Sequence, residues 1–226
     1  MSFPREVSSY KDDLVSTTLA ENALNWVQKE RELGISTYDN PKLWFFFRAY
    51  LPKANIPSKN FENLVLVRAN FDKANLSNSN FDNVDMRRSL MRNTNLRSSS
   101  FKRSKLNKVD FSNSNLSFTD IISANLRDAL FQNVNLSLAD LSGSDCRNSD
   151  MSKSIFQSAK LNGADFSGAN LSNSTFDGAF LKMVDFSNAK LTNADFRFSR
   201  NINQVKSWKG AVLDGTLFPP NFEPPN

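Results

Sequence analysis

Residues 138–156, LADLSGSDCRNSDMSKSIF, hold the only cysteine of the chain, Cys146, with Asp145 before it and Asp150 four residues after. A thiol beside carboxylates has the makings of a nucleophile, a redox sensor or a metal ligand. Each of those roles needs company. The chain contains no histidine, which removes the commonest general base and the commonest metal ligand. A single cysteine can form neither an internal disulfide nor a Cys-rich zinc site. No Gly-rich phosphate loop, catalytic dyad or metal cluster stands out elsewhere. The sequence therefore points away from an enzyme, and it calls for no cofactor.

The elements that position these residues are legible in the spacing. The 226 residues include 20 phenylalanines but only 7 glycines and 8 prolines, and every proline lies at or before residue 57 or at or after 219. Repeats take precedence over any other signal. From Phe61 to Phe196, every fifth residue is apolar, counting Cys146 as one, and no insertion breaks the register. Two residues before nearly all of them sits a small or modest side chain, as at Ala69, Ala74, Ser79, Val84 and Ala164. Between the two lies most often Asn or Asp, as at Asn70, Asn75 and Asp110.

A period of five suits neither a helix nor a flat strand, because either would scatter the apolar positions over several faces. A chain that turns every five residues keeps them all inside. Asn and Asp are expected at the turns, where their side chains bond nearby backbone groups. Gly143, Gly163, Gly168 and Gly178 share one phase, two residues after the large apolar position. A permissive backbone is expected there.

With segments such as ADFSGANLSNSTF (164–176) and ANLSNSNF (74–81), residues 61–200 resemble the pentapeptide-repeat family. The resemblance implies an all-β solenoid, a right-handed four-sided β-helix with one pentapeptide per side. Residues 59–200 would form about seven coils, roughly 34 Å long at the usual strand spacing. Residues 20 apart would then stack. Phenylalanine would occupy the first and third faces early, at Phe61, Phe81, Phe101 and Phe71, Phe111, Phe131. It would occupy the second and fourth faces late, at Phe166, Phe186 and Phe156, Phe176, Phe196. The handover falls in the coil Leu141–Cys146–Met151–Phe156. A small thiol and an adaptable thioether suit such a switch in core packing. Cys146 and Met151 are expected to be buried core residues.

The flanks lack the repeat. Residues 1–58 are expected to form a helical N-terminal cap. Leu19, Ala23, Trp26, Val27 and Leu33 have helical spacing with Gly34 as a stop, and a second helix over about 41–51 would be capped by Asn40 and Pro41. The open end of a solenoid exposes strand edges and core, which such a cap would cover. Residues 201–226 are expected to form a C-terminal cap, using Ile202, Val205, Trp208, Val212, Leu213 and Phe218, and a flexible PPNFEPPN tail.

Function must then lie on outward side chains. Arg87, Arg88, Arg92, Arg97, Lys102, Arg103, Lys105 and Lys108 form a basic belt with no acid between them, and Arg68, Arg88 and Lys108 would stack in one column. Apolar residues break the outward pattern at Phe118, Ile122, Leu138, Phe180, Met183 and Phe198, with Phe118 and Leu138 in one column. The composition fits a rigid scaffold that binds a protein partner, with self-association through the apolar column as a further option. Nucleic acid is disfavoured, since no exposed aromatics interleave with the belt. The belt also suits an anionic membrane surface, as in an exported bacterial effector. The family resemblance implies another role, that of members that bind DNA gyrase by imitating duplex DNA and protect against quinolones. Such mimicry wants an acidic rod, whereas residues 61–200 carry 18 Lys/Arg against 14 Asp/Glu. NLS triplets at Asn75, Asn115, Asn135 and Asn170 follow from the repeat and are not expected to be glycosylated. Without a signal-like or membrane-length apolar stretch, the expected location is the cytoplasm.

If Cys146 is a core residue, Cys146→Leu should cost little stability. Cys146→Asp should lower it by about 3 kcal/mol or more, by burying an unpaired charge. Chemical denaturation of the two variants checks this, and rapid labelling of the native thiol contradicts it.

Overall fold

A computed structural model of the protein describes residues 18, 21, 22, 25, 29 and 49–225. From residue 50 onward the chain winds as a four-sided β-helix. Parallel bridges start at Tyr50↔Asn70 and recur every five residues, each joining positions 20 apart. Five residues per side and 20 per coil give four sides.

The local reason for this path is visible in one repeat. Phe71 N–H donates to Leu90 O in the next coil at 2.8 Å, and Lys73 N–H donates to Arg92 O at 2.8 Å. Ala74 N–H closes the turn on Phe71 O at 3.0 Å, and Asn75 N–H donates back to Ala54 O at 2.8 Å. Only Asp72 N–H lacks a backbone acceptor, and the side-chain Oδ1 of Asn70 takes it at 2.9 Å. All five N–H groups are satisfied, as a buried backbone requires.

That accounting corrects the expected place of Asn and Asp. The Asn or Asp between the small and the large position sits on the bridge, not in the turn, and caps the turn that follows from outside. Asp145 and Asp150 do this too, accepting from Arg147 N–H at 3.4 Å and Ser152 N–H at 3.1 Å. From Leu51 to Leu191 the left-handed residue comes two positions after each inward residue, and the pattern stops at Phe196. The glycines there have φ of 64–70°, and non-glycine residues such as Asn173 (59°) adopt the same conformation. Asn and Gly recur at these corners, and no β-branched residue occupies one with positive φ. Asn tolerates the left-handed region, which β-branched side chains strongly resist.

The inward residues from Phe61 to Phe196 are fully buried. Phe61, Phe81 and Phe101 stack in one column at centroid distances of 4.5 and 4.7 Å. Phe156, Phe176 and Phe196 stack in another at 4.8 and 4.2 Å. Edge-to-face pairs cross the core at Phe61–Phe71 (6.0 Å) and Phe156–Phe166 (6.1 Å). Ring contacts break off after Phe131 and resume at Phe156, with Cys146 and Met151 buried between. At most small positions held by Ser or Thr the hydroxyl donates to a carbonyl, as Ser99 does to Leu76 O.

The ends differ from the sequence expectation. Among the described residues the ladder begins at Tyr50, and Leu51, Ala54 and Ile56 are already core, so the boundary expected at 58/59 falls inside the solenoid. Leu51 lies in the inward phase and is 5% exposed, which places the end of the expected 41–51 helix in the solenoid. Residues 41–48 of that helix lie outside the described residues, as do Leu19, Ala23, Trp26, Val27, Leu33, Gly34, Asn40 and Pro41. Thr18, Glu21, Asn22, Asn25 and Lys29 are helical, and Glu21 pairs with Lys59 of the first coil at 3.2 Å.

At the other end the ladder continues through Asp185↔Ser207, Lys190↔Val212 and Asp195↔Leu217, now 22 residues apart. Two extra residues enter as a short 3-10 turn, Ile202–Gln204, after a left-handed Asn201. Ile202 takes the core place that the polar Asn201 cannot fill. The expected flexible tail is not free. Phe222 packs on Trp208 and Phe218 at 6.1 and 5.4 Å, extending the aromatic column.

Replacing the exposed corner residue Asn173 by Val should lower stability by about 1–2 kcal/mol, because a β-branched side chain resists the left-handed conformation. Asn173→Gly should change it by only a few tenths. Equal midpoints for the two variants in urea would contradict the corner assignment.

Candidate functional site

The opening constellation comes apart in three dimensions. The Cys146 thiol points into the core, fully buried, and its Sγ lies 3.3 Å from Ser144 Oγ. Burial pushes its pKa up to about 12, although the Ser144 hydrogen bond acts in the opposite sense. A thiol in that state supplies almost no thiolate at neutral pH. Asp145 faces outward and accepts from Arg127 Nε at 2.6 Å and Arg147 Nε at 2.7 Å. Among the described residues, no three His, Cys, Asp or Glu side chains gather as a metal site.

The basic belt divides in two. Arg87 forms a two-point contact with Asp85, Arg92 pairs with Asp72, and Lys102 meets Asp120 at 3.0 Å. In each case the hydrogen bond to the aspartate, then its charge, raises the base's pKa. Lys108 reaches Asp128 only at 3.9 Å, and Arg103 donates to Asn83. Arg68, Arg88 and Lys105 make no ion pair among the described residues and are exposed. Arg68 and Arg88 occupy left-handed corners 20 residues apart, one rung above the other. Like charges stacked this way repel, with screening by solvent and salt.

Phe118 and Leu138 also occupy left-handed corners, with φ of 61° each. They are 44% and 51% exposed. This corner lies two sides, ten residues, from the Arg68–Arg88–Lys108 corner. The two corners are diagonal across the rod and face away from each other, so the belt and the apolar pair do not form one patch. One belt residue does join the pair. The Arg97 guanidinium lies 4.1 Å from the centre of the Phe118 ring and donates to Ser117 Oγ at 3.2 Å. It has no acidic partner among the described residues.

Two contacts escaped the sequence reading. Arg200 lies 5.0 Å from the Phe180 ring centre and Arg197 lies 5.9 Å from that of Phe198. Phe198 is in register with the column of Phe118 and Leu138, without their left-handed backbone, and Phe180 is just around that corner. The signal was available, since Phe180 and Arg200 are 20 residues apart and therefore bridge partners.

The family model described as "Pentapeptide repeats" matches in overlapping copies across residues 46–200. The chain belongs to the pentapeptide-repeat family. Its β-helix is accordingly right-handed. Among solved structures, it is similar to QnrB1, a plasmid-mediated fluoroquinolone resistance protein. A trypsin-treated variant of QnrB1 is 18% identical, with 74% of this chain and 82% of that one covered, at a TM-score of 0.54. HetL, a pentapeptide-repeat protein involved in heterocyst differentiation regulation in the cyanobacterium Nostoc sp. strain PCC 7120, is 19% identical. There 76% of this chain and 88% of that one are covered, at a TM-score of 0.43. At these identities the likeness concerns the fold alone. No curated protein sequence matches the pentapeptide-repeat chain described above.

Within this pentapeptide-repeat rod, bulky corner residues cost stability that Asn would return. Leu138→Asn should raise stability by about 0.5–1 kcal/mol by relieving left-handed strain and removing an exposed apolar side chain. A lower denaturation midpoint for this variant would show that Leu138 serves the fold.

Proposed function

We propose that the protein is a non-enzymatic, rigid protein-binding module, and that the corner built from Arg97, Phe118 and Leu138 is its docking site. Pentapeptide-repeat proteins are generally non-catalytic structural or binding modules, which supports the coarse part of this reading. One observation carries the finer part. Phe118 and Leu138 sit exposed at left-handed corners where the fold itself favours Asn or Gly. Large apolar side chains that oppose both local conformation and solvation suit contact with another molecule. Among the described residues no helix is long and apolar enough to cross a membrane. The cytoplasm remains the proposed location.

A second reading rests on the likeness to QnrB1. A gyrase-directed role fits the shared fold, but the unpaired charge of this rod at Arg68 and Arg88 is positive, opposite to that of a DNA mimic. Those same cations support a third reading, contact with an anionic membrane surface.

Affinity capture with mass spectrometry should compare wild type, Phe118→Asn/Leu138→Asn and Arg68→Gln/Arg88→Gln. Partners lost only from the apolar double variant support the proposal. Partners lost only from the arginine variant move the site to the opposite corner. In a supercoiling assay, no effect on gyrase at micromolar concentration is expected.

A further inference from the structure

The three cation–π contacts found among the described residues all lie along one edge of the rod: Arg97 on Phe118, Arg197 on Phe198 and Arg200 on Phe180. The corner column along that edge reads Phe118, Leu138, Ser158, Gly178, Phe198. At one coil per strand spacing, Phe118 and Phe198 stand about 19 Å apart. Between Leu138 and Phe198 the profile drops to two small residues packed closely together. A Cβ on Gly178 would come within 2.9 Å of Ser158 Oγ. The edge is therefore a ridge with apolar knobs at both ends and a notch between them.

Its charges have an order as well. Nearer the middle, Lys102 is paired with Asp120, and Lys160 with Asp140. Arg197 is paired with Asp195. Arg97 and Arg200 have no acid among the described residues. Each is held against an aromatic face; Arg97 spends one N–H on Ser117 Oγ, and the other guanidinium N–H groups can donate to a carboxylate. The open positive charges thus mark the two ends of the ridge, about five coils or 24 Å apart, and the exposed carboxylate of Asp177 lies between them beside the notch, which places an occupant's acids at the ends.

We propose that this edge is a continuous docking ridge for one acidic–apolar protein segment. A bulky apolar side chain of that segment fills the Ser158–Gly178 notch, and carboxylates near its two ends meet Arg97 and Arg200. This rests on the protein-binding function proposed above and extends it in length and in partner chemistry. Charge complementarity selects the occupant: a basic segment would be repelled at both ends, and a purely apolar one would leave both guanidinium groups unanswered.

The test is selection of a randomised 16-residue peptide display library on the full-length protein. Recovered peptides are then measured by fluorescence anisotropy against four proteins: wild type, Phe118→Asn/Leu138→Asn, Ser158→Asn and Arg68→Gln/Arg88→Gln. Asn is compatible with the left-handed corner, so Ser158→Asn fills the notch while keeping the fold, which thermal denaturation verifies. The proposal predicts peptides rich in Asp or Glu around aromatic or aliphatic residues. It predicts at least tenfold weaker binding to the first two variants and unchanged binding to the third. Peptides that lose affinity only for Arg68→Gln/Arg88→Gln would overturn the ridge while leaving a protein-binding function in place. Recovery of basic peptides, or of no peptide, overturns the ridge outright. So does tight binding to vesicles of anionic lipid that the edge variants weaken equally.

Discussion

Everything in this solenoid depends on one backbone event, a left-handed residue at every fifth position from Lys53 to Asn193. It turns the chain through a corner and lets the inward residue, the bridge residue and the corner residue each bond a neighbouring coil. The remaining N–H groups are met by a turn carbonyl and by an Asn or Asp side chain. With that device in place the core is a stack of identical rungs. Aromatic columns form because residues 20 apart have no other place to go.

The same constraint decides which outward residues carry information. At a bridge position, Asn or Asp is explained by the turn it caps. At a corner, Asn or Gly is explained by the conformation. What the backbone does not explain stands out against it: Phe118 and Leu138 at corners, Arg97 laid over Phe118, and the unpaired Arg68–Arg88 column on the diagonal corner. The proposed docking edge is the place where such unexplained residues cluster, whereas Met183, also exposed at a left-handed corner, stands apart from it.

The repeat was legible because a period of five over many coils cannot arise from helix or strand packing. The inward phase, the corner phase of the glycines and the exchange of phenylalanine columns follow from counting. The role of Asn and Asp was harder to place. Spacing says that they recur, but only the hydrogen bonds show that they cap from the bridge position. The limits of the solenoid also escaped, for physical reasons. Leu51 and Ile56 fit the inward phase but sit between prolines, which obscures the pattern, and Asn201 breaks the register until Ile202 restores the core. The proposed docking edge was half visible. Phe118 and Leu138 share a column by arithmetic, whereas the seating of Arg97, Arg197 and Arg200 on rings depends on side-chain directions that spacing does not give.

Amide hydrogen exchange resolved to single residues tests the central claim most directly. The fold predicts protection with a period of five through residues 61–196. Inward, corner and bridge N–H groups should exchange slowly. The first turn residue of each repeat, held at most by a side chain at the surface, should exchange fastest. Protection that is uniform along the chain, or that follows a helical or two-residue period, would contradict a solenoid cornered at every fifth residue.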